Sequence, residues 1–147
     1  MDTAQLMRII REDNVAEVRR ALALWPGLVE TATPAGEPLS HWAAREGSLA
    51  MLRLLVEYGT KVNLNAVDES GRDMLHYAAE SGNVGKCRYL VERGGMDPLR
   101  GDLELITPYD LAHQGGWKQL EAYFAAVVGA PWEAMYRNPI RSGMYPD

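Results

Sequence analysis

The stretch Gly71–Asn83, GRDMLHYAAESGN, has a counterpart at Gly36–Ser48, GEPLSHWAAREGS. A glycine, a histidine, an aromatic residue, an alanine pair and a second glycine appear in the same order in both. Taken alone, the histidine, acids and tyrosine of the first stretch look like the edge of an active site. Taken as a pair, the segments are copies, and their first meaning is architectural. Gly36 pairs with Gly71, His41 with His76, Ala43-Ala44 with Ala78-Ala79, Gly47 with Gly82 and Gly59 with Gly94, each 35 residues apart. A third copy follows at a spacing of 34, where Thr107, Pro108, Asp110, Ala112 and Gly116 stand for Asp73, Met74, His76, Ala78 and Gly82.

Each copy reads as a short helix, a reversal, a second helix and a turn. Gly59 and Gly94 are expected just past the second helices, in the left-handed region that glycine enters without steric cost. Gly71 closes the turn Asp68-Glu69-Ser70-Gly71, in which an aspartate can bond its own backbone. Thr107, Pro108 and Asp110 form a strong helix start: a capping hydroxyl, a proline at the first helical position and an acid in the first turn. Leu52, Leu55 and Val56, and likewise Cys87, Leu90 and Val91, make a helical-period apolar stripe. No single unit can cover that stripe, so neighbours must stack.

In these positions the chain resembles the ankyrin repeat family, whose pattern runs roughly DxxGxTPLHxAAxxGHxxxVxxLLxxGAxxN. The turn Asn65–Asp73 and the closing Thr107-Pro108-Tyr109-Asp110-Leu111-Ala112 carry the likeness, which spans about residues 2–128. A tetratricopeptide array shares a period near 34 residues, but the Gly-x-x-x-x-His-x-Ala-Ala core is foreign to it. The resemblance implies an all-α ankyrin repeat solenoid of about four helix-turn-helix units with short protruding turns. The expected divisions are a degenerate N-terminal capping repeat (1–30), two full repeats (31–65 and 66–100), a C-terminal capping repeat (101–129) and an extension rich in proline and aromatics (130–147). Val15, Val18 and Leu22 form the expected second-helix face of the first unit, and Trp25–Val29 its exit.

Composition narrows the partners. The 147 residues are 47% hydrophobic and 24% charged, with 15 basic against 20 acidic side chains and a net charge of −5. Such a chain has no overall attraction for phosphate backbones or anionic lipid. No run approaches the roughly 18 apolar residues of a spanning helix, and the N-terminal stretch mixes charges from Asp2 onward, unlike a secretory leader. The single cysteine, Cys87, has no internal disulfide partner. These features point to a cytoplasmic protein with neither nucleic acid nor membrane insertion, and the resemblance adds another protein as the expected partner.

Chemistry finds little to hold. The motifs GxSxG, GxxxxGK[ST], HExxH and paired cysteines are missing from the sequence, so no catalytic, cofactor-binding or metal residues are assigned. His41 and His76 belong to successive units roughly 10 Å apart, too far to share a zinc that needs imidazoles at about 2.1 Å; their expected role is hydrogen bonding between loops. His113 falls off the histidine register and is expected at the surface or between units. Cys87 occupies an apolar slot of a second helix, where a small thiol packs well. Lys86 stands at an ordinarily apolar position, and helical spacing points most of the cations near Cys87, namely Lys86, Arg88 and Arg93, outward.

What the resemblance implies for function is protein binding through the turns and the exposed ends of the first helices. Carried onto matching positions, this marks Glu37, Arg45 and Glu46 in the second unit, Glu69, Ser70, Arg72, Glu80 and Ser81 in the third, and Leu103, Glu104 and Gln114 in the last. Trp42, Tyr77 and Leu111 repeat as a ladder, read both as packing between units and as a binding stripe. Ser40 reads as a one-residue shift of a helix start. The turn Arg100–Ile106 lacks a glycine at 105 and offers Leu103, Leu105 and Ile106, an irregular and sticky finger. Trp132 and Tyr136 in the extension either cap the last unit or reach into another subunit. A non-enzymatic adaptor or inhibitor is the leading expectation. A permanent assembly subunit comes second, and an enzyme or small-molecule binder with a pocket at His76, Tyr77 and Glu80 is the reading from another class.

Overall fold

Short polar side chains start most of the helices. Asp2, Asn14, Asp73, Asn83 and Thr107 each accept a backbone N–H from the first turn that follows, satisfying a donor that helix geometry leaves open. The computed structural model describes residues 1–58 and 64–129. Among these residues eight α-helices follow in chain order: α1 Thr3–Arg11, α2 Val15–Leu24, α3 Leu39–Glu46, α4 Leu49–Tyr58, α5 Met74–Ser81, α6 Val84–Glu92, α7 Pro108–Gln114 and α8 Lys118–Val128, with a 3-10 turn at Pro26–Glu30. Among the described residues the β pairing is an isolated bridge between Ala32 and Pro38.

Helices of seven to eleven residues are too short to be stable singly in water, so packing must hold them. First helices stack on first helices, α1 to α3 to α5 to α7, and second helices on second, α2 to α4 to α6 to α8. The α3–α4 unit shows why. Leu39, Trp42, Ala43, Met51, Leu54 and Leu55 pack with Leu6, Ile10, Val18 and Leu22 of the first unit. Ala44 and Leu52 pack the other way, with Met74, Leu75, Cys87 and Leu90 of the third. Ala43, Ala44, Ala78 and Ala79 are wholly buried, and their small volume lets the first helices approach closely. Each fully buried leucine contributes about 1.5–3 kcal/mol, and nearly all of that depends on the adjacent unit.

Between units, three turns project as fingers with one shared hydrogen-bond pattern. Their closing bonds run from the N–H groups of Thr33, Asp68 and Asp102 to the carbonyls of Glu37, Arg72 and Ile106 at 2.8, 2.9 and 2.9 Å. Asp68 Oδ1 accepts from the N–H groups of Ser70 and Arg72, and Asp102 Oδ1 from those of Glu104 and Ile106. The histidines then tie each first helix to the next finger. His41 Nε2 donates to the carbonyl of Ala66 at 3.0 Å and His76 Nε2 to that of Ile106 at 2.8 Å, the loop-bonding role expected of both. In the last unit Asp110 replaces histidine and turns to its own helix start, accepting from the N–H of Thr107 at 2.8 Å.

Several expectations need correction. Ser40 marks no shift: α3 begins at Leu39, in register with Met74 of α5, and what differs is that Pro38 supplies no capping side chain. The left-handed residue after α6 is Gly95, with φ 67°, not Gly94; Gly94 is small because a Cβ there would stand 2.6 Å from the carbonyl oxygen of Leu90. Gly59 and the extension from 130 onward, with Trp132 and Tyr136, lie outside the described residues. Lys86 does not point outward with its neighbours. It is 2% exposed, and its Nζ donates to the carbonyls of Gly47 at 2.8 Å and Arg45 at 3.2 Å. The carbonyl end of α3 is where a cation is favoured, although burial lowers the ammonium pKa.

Burial away from water holds the His41 pKa below its ordinary value, outweighing the nearby Asp68 and Asp73 carboxylates. The unfolded chain therefore binds this proton at a higher pH than the native chain. Stability is full above the unfolded value of about 6.5 and falls as pH drops through it. Urea unfolding at a series of pH values between about 7.5 and about 5.5 is expected to show this loss, and His41→Leu, though less stable throughout, is expected to flatten it.

Candidate protein-binding surface

On the side of the molecule formed by the first helices and fingers, the charged residues singled out by sequence are spent largely on one another. Arg45 on α3 forms a two-pronged pair with Glu37, Nη1 to Oε2 at 2.8 Å and Nη2 to Oε1 at 2.9 Å, and its Nε donates to Glu46 at 3.0 Å. This planar fork, a geometry specific to arginine, holds the Glu37 carboxyl below its ordinary pKa and raises that of the guanidinium. Glu46 also meets Arg11 of α1 at 3.7 Å, and Arg45 meets Glu80 of α5 at 3.7 Å. Arg72 pairs with Glu80 and reaches Asp102 of the next finger at 3.1 Å. A ladder of opposite charges thus crosses all four units.

The aromatic ladder lies beneath it. Trp42 and Tyr77 are each 3% exposed, covered by the guanidinium groups of Arg11 and Arg45 at 5.1 and 5.2 Å from the ring centres. Tyr77 OH donates to Asp68 Oδ2 at 2.6 Å, and burial, then this bond to a carboxylate, raises its pKa. Its ring stands edge-on to His41 at 5.3 Å. Of the two roles set out for these rings, packing between units is the one their burial supports; Leu111 is half-buried.

Apolar side chains are exposed at the finger tips, as they are at Leu24, Trp25, Trp117 and Val127 elsewhere on the molecule. Leu103 is 75% and Leu105 51% exposed, and Val67 on the neighbouring finger is exposed as well. The two fingers are joined by the Leu103 N–H bonding to the carbonyl of Ser70 at 2.9 Å. Glu69, Ser70 and Glu104 are exposed beside them, with Gln114 exposed on α7 and Ser81 half-buried on α5. Leu105 has φ 66°, where the equivalent Gly36 and Gly71 have 84° and 80°. The missing glycine noticed in the sequence is therefore a leucine held in a left-handed conformation. Val67 escaped notice; the available signal was an apolar residue at a tip otherwise made of polar ones.

The outer face of the second helices carries a different periodic feature. Arg53 lies over Tyr89 at 5.7 Å and Arg88 over Tyr123 at 5.3 Å, each arginine reaching the tyrosine of the next unit. Shallow grooves run between α2 and α4 and between α4 and α6, lined by Arg19, Arg53, Leu54 and Tyr89 among others. Neither groove involves His76, Tyr77 or Glu80. Near the chain's last unit, Trp117 lies against Gly82, where a Cβ would stand 2.3 Å from the indole, and His113 Nδ1 faces Glu121 at 3.2 Å. Among the described residues no cluster of three histidine, cysteine or acidic side chains gathers that could hold a metal, and no helix is long and apolar enough to cross a membrane.

Cys87 is wholly enclosed. Burial pushes its thiol up to about 12, with Lys86 opposing only weakly, so the reactive thiolate is scarce at neutral pH. A chromogenic disulfide reagent at neutral pH is expected to leave Cys87 unmodified in the native chain and to label it at once in denaturant. Fast labelling of the native chain contradicts a packing role.

Residues 6–102 match the family model described as ankyrin repeats, in three copies. No curated protein matches the chain. Among solved structures, one chain of the crystal structure of the yeast ribosomal protein Rps3 in complex with its chaperone Yar1 is similar over 86% of this chain and 95% of that chain, with a TM-score of 0.72 and 20% identity. At that identity the likeness is one of fold.

Proposed function

We propose, since this chain belongs to the ankyrin repeat family, that it is a non-enzymatic protein-binding module, an adaptor or inhibitor, which engages its partner through the finger ridge and the adjoining ends of the first helices. The observation that carries this reading is Leu105. A left-handed conformation costs an L-residue with a side chain roughly 1–2 kcal/mol, and glycine at the same place would avoid it. Half of this leucine faces solvent, so its own burial offsets only part of that cost. Strain kept at an exposed apolar tip is what a contact site shows. Next to it Leu103 offers a second apolar side chain, and the finger beneath is held rigid by the Asp102 turn and by its bond to Ser70. Docking onto such a tip orders little new structure, which favours affinity.

In this reading Glu69, Ser70, Leu103, Glu104 and Gln114 meet the partner directly. Glu37, Arg45, Glu46, Arg72 and Glu80 shape the face and hold its charge pattern, and Trp42 and Tyr77 support it from within. The pattern of Cys87, His41 and His76, each committed to packing or to loop hydrogen bonds, favours binding over turnover.

Leu105→Gly separates the two roles of the tip. Thermal unfolding is expected to show a gain of about 0.5–1 kcal/mol, the released strain less the entropy of glycine, while affinity for the physiological partner falls. Gly71→Ala is the contrast, because its φ is 80° and a Cβ would stand 2.9 Å from the Leu103 nitrogen; a loss of about 2 kcal/mol is expected. A Leu105→Gly chain that binds its partner as tightly as the parent overturns the assignment of the tip.

A further inference from the structure

The unpaired charge at the tips of the second and third fingers is of one sign. At the fingers, Glu69 and Glu104 are exposed with no cation at ion-pair distance among the described residues. The arginines that could neutralise them are engaged. Arg72 is held by Glu80 and Asp102. Arg100 lies 3.7 Å from the buried Asp73 carboxylate and donates to the carbonyl of Asn65. Asp68, between them, spends its carboxylate on backbone N–H groups and the Tyr77 hydroxyl, bonds that keep it ionised without cancelling its charge. On the opposite side, Arg19 of α2, Arg93 just past α6 and Lys118 of α8 are exposed with no acid at ion-pair distance among the described residues. The chain as a whole carries −5, and the apolar tips Val67, Leu103 and Leu105 sit at its negative side.

We infer that the finger ridge takes a cationic protein segment that carries an apolar side chain between its basic residues. The apolar side chain packs on Leu103 and Leu105, while lysine or arginine to either side meets Glu69 and Glu104. This deepens the binding reading above and rests on it. The geometry suits that division of labour. Leu103 and Leu105 belong to one finger, Glu104 lies between them in sequence, and Glu69 comes from the neighbouring finger joined through Ser70. An acidic or phosphorylated segment would bring like charge to a ridge with no free cation among the described residues to receive it, a repulsion that selects against wrong partners.

The test uses three helical peptides with one leucine pattern and with lysine, glutamine or glutamate at every polar position. Fluorescence anisotropy would follow their binding to the full chain, to Leu103→Ser, to the double variant Glu69→Gln/Glu104→Gln and to the outer-face control Glu92→Gln. The lysine peptide is expected to bind the parent about ten-fold tighter than the glutamine peptide, in keeping with two or more exposed charge pairs, and the glutamate peptide to bind weakest. The double variant is expected to lose most of that preference, the control to keep it, and Leu103→Ser to weaken the lysine and glutamine peptides alike. Equal binding of lysine and glutamine peptides, both weakened by Leu103→Ser, overturns the charge inference and leaves the ridge as a binding site. A lysine preference that survives in the double variant also overturns it. Binding of all three peptides indifferent to Leu103→Ser overturns the ridge itself.

Discussion

A pair of helices of about ten residues cannot cover its own apolar sides, and everything else in this molecule is a consequence of that deficit. The α3–α4 unit shows it directly, giving Trp42, Met51 and Leu55 to one neighbour and Ala44 and Leu52 to the other. Because the interface between units is the core, each unit is held in place by its neighbours. The histidine-to-finger bonds at Ala66 and Ile106 act on the same interfaces. They fix where the fingers stand relative to the helices, so that a surface spread over several turns behaves as one piece.

A second consequence concerns charge. Units stacked in parallel register bring equivalent side chains close together, and like charges at equivalent positions would repel. Here the array alternates instead: Arg45 is set between Glu37 and Glu80, and Arg72 between Glu80 and Asp102. The same register makes the stacking of Arg53 on Tyr89 recur as Arg88 on Tyr123. Partly exposed pairs of this kind add little stability one at a time. Their larger effect is to withdraw arginines from the finger side and leave the remaining acids unbalanced, which ties the electrostatics of the surface to the architecture beneath it.

Lys86 and Leu105 show how a repeat accommodates residues that do not suit it. Lys86 replaces an apolar side chain and satisfies the carbonyl end of α3 in the preceding unit. Leu105 replaces a glycine and keeps the turn at the cost of strain. The first departure is internal and serves the stack. The second is external, with half of the leucine facing solvent, which is why it bears on binding.

Period, helix order and the buried alanine pairs were legible in the residues because they depend on short-range rules: capping at Thr107, glycine where φ is positive at Gly71, and apolar spacing at Leu52 and Leu55. The roles of His41 and His76 followed from the same spacing, since equivalent units are too far apart for one metal. Direction was not legible. Nothing local distinguishes Lys86, which turns inward to the carbonyls of another unit, from Arg88, which turns outward to a tyrosine. Local rules likewise do not reveal that Trp42 and Tyr77 are roofed by Arg11 and Arg45 while Leu103 is left bare. Those outcomes depend on which group the neighbouring copy places opposite, about 35 residues away in sequence. The chain alone therefore determined that there is a stack, and only the assembled stack decided which of its side chains were left for a partner.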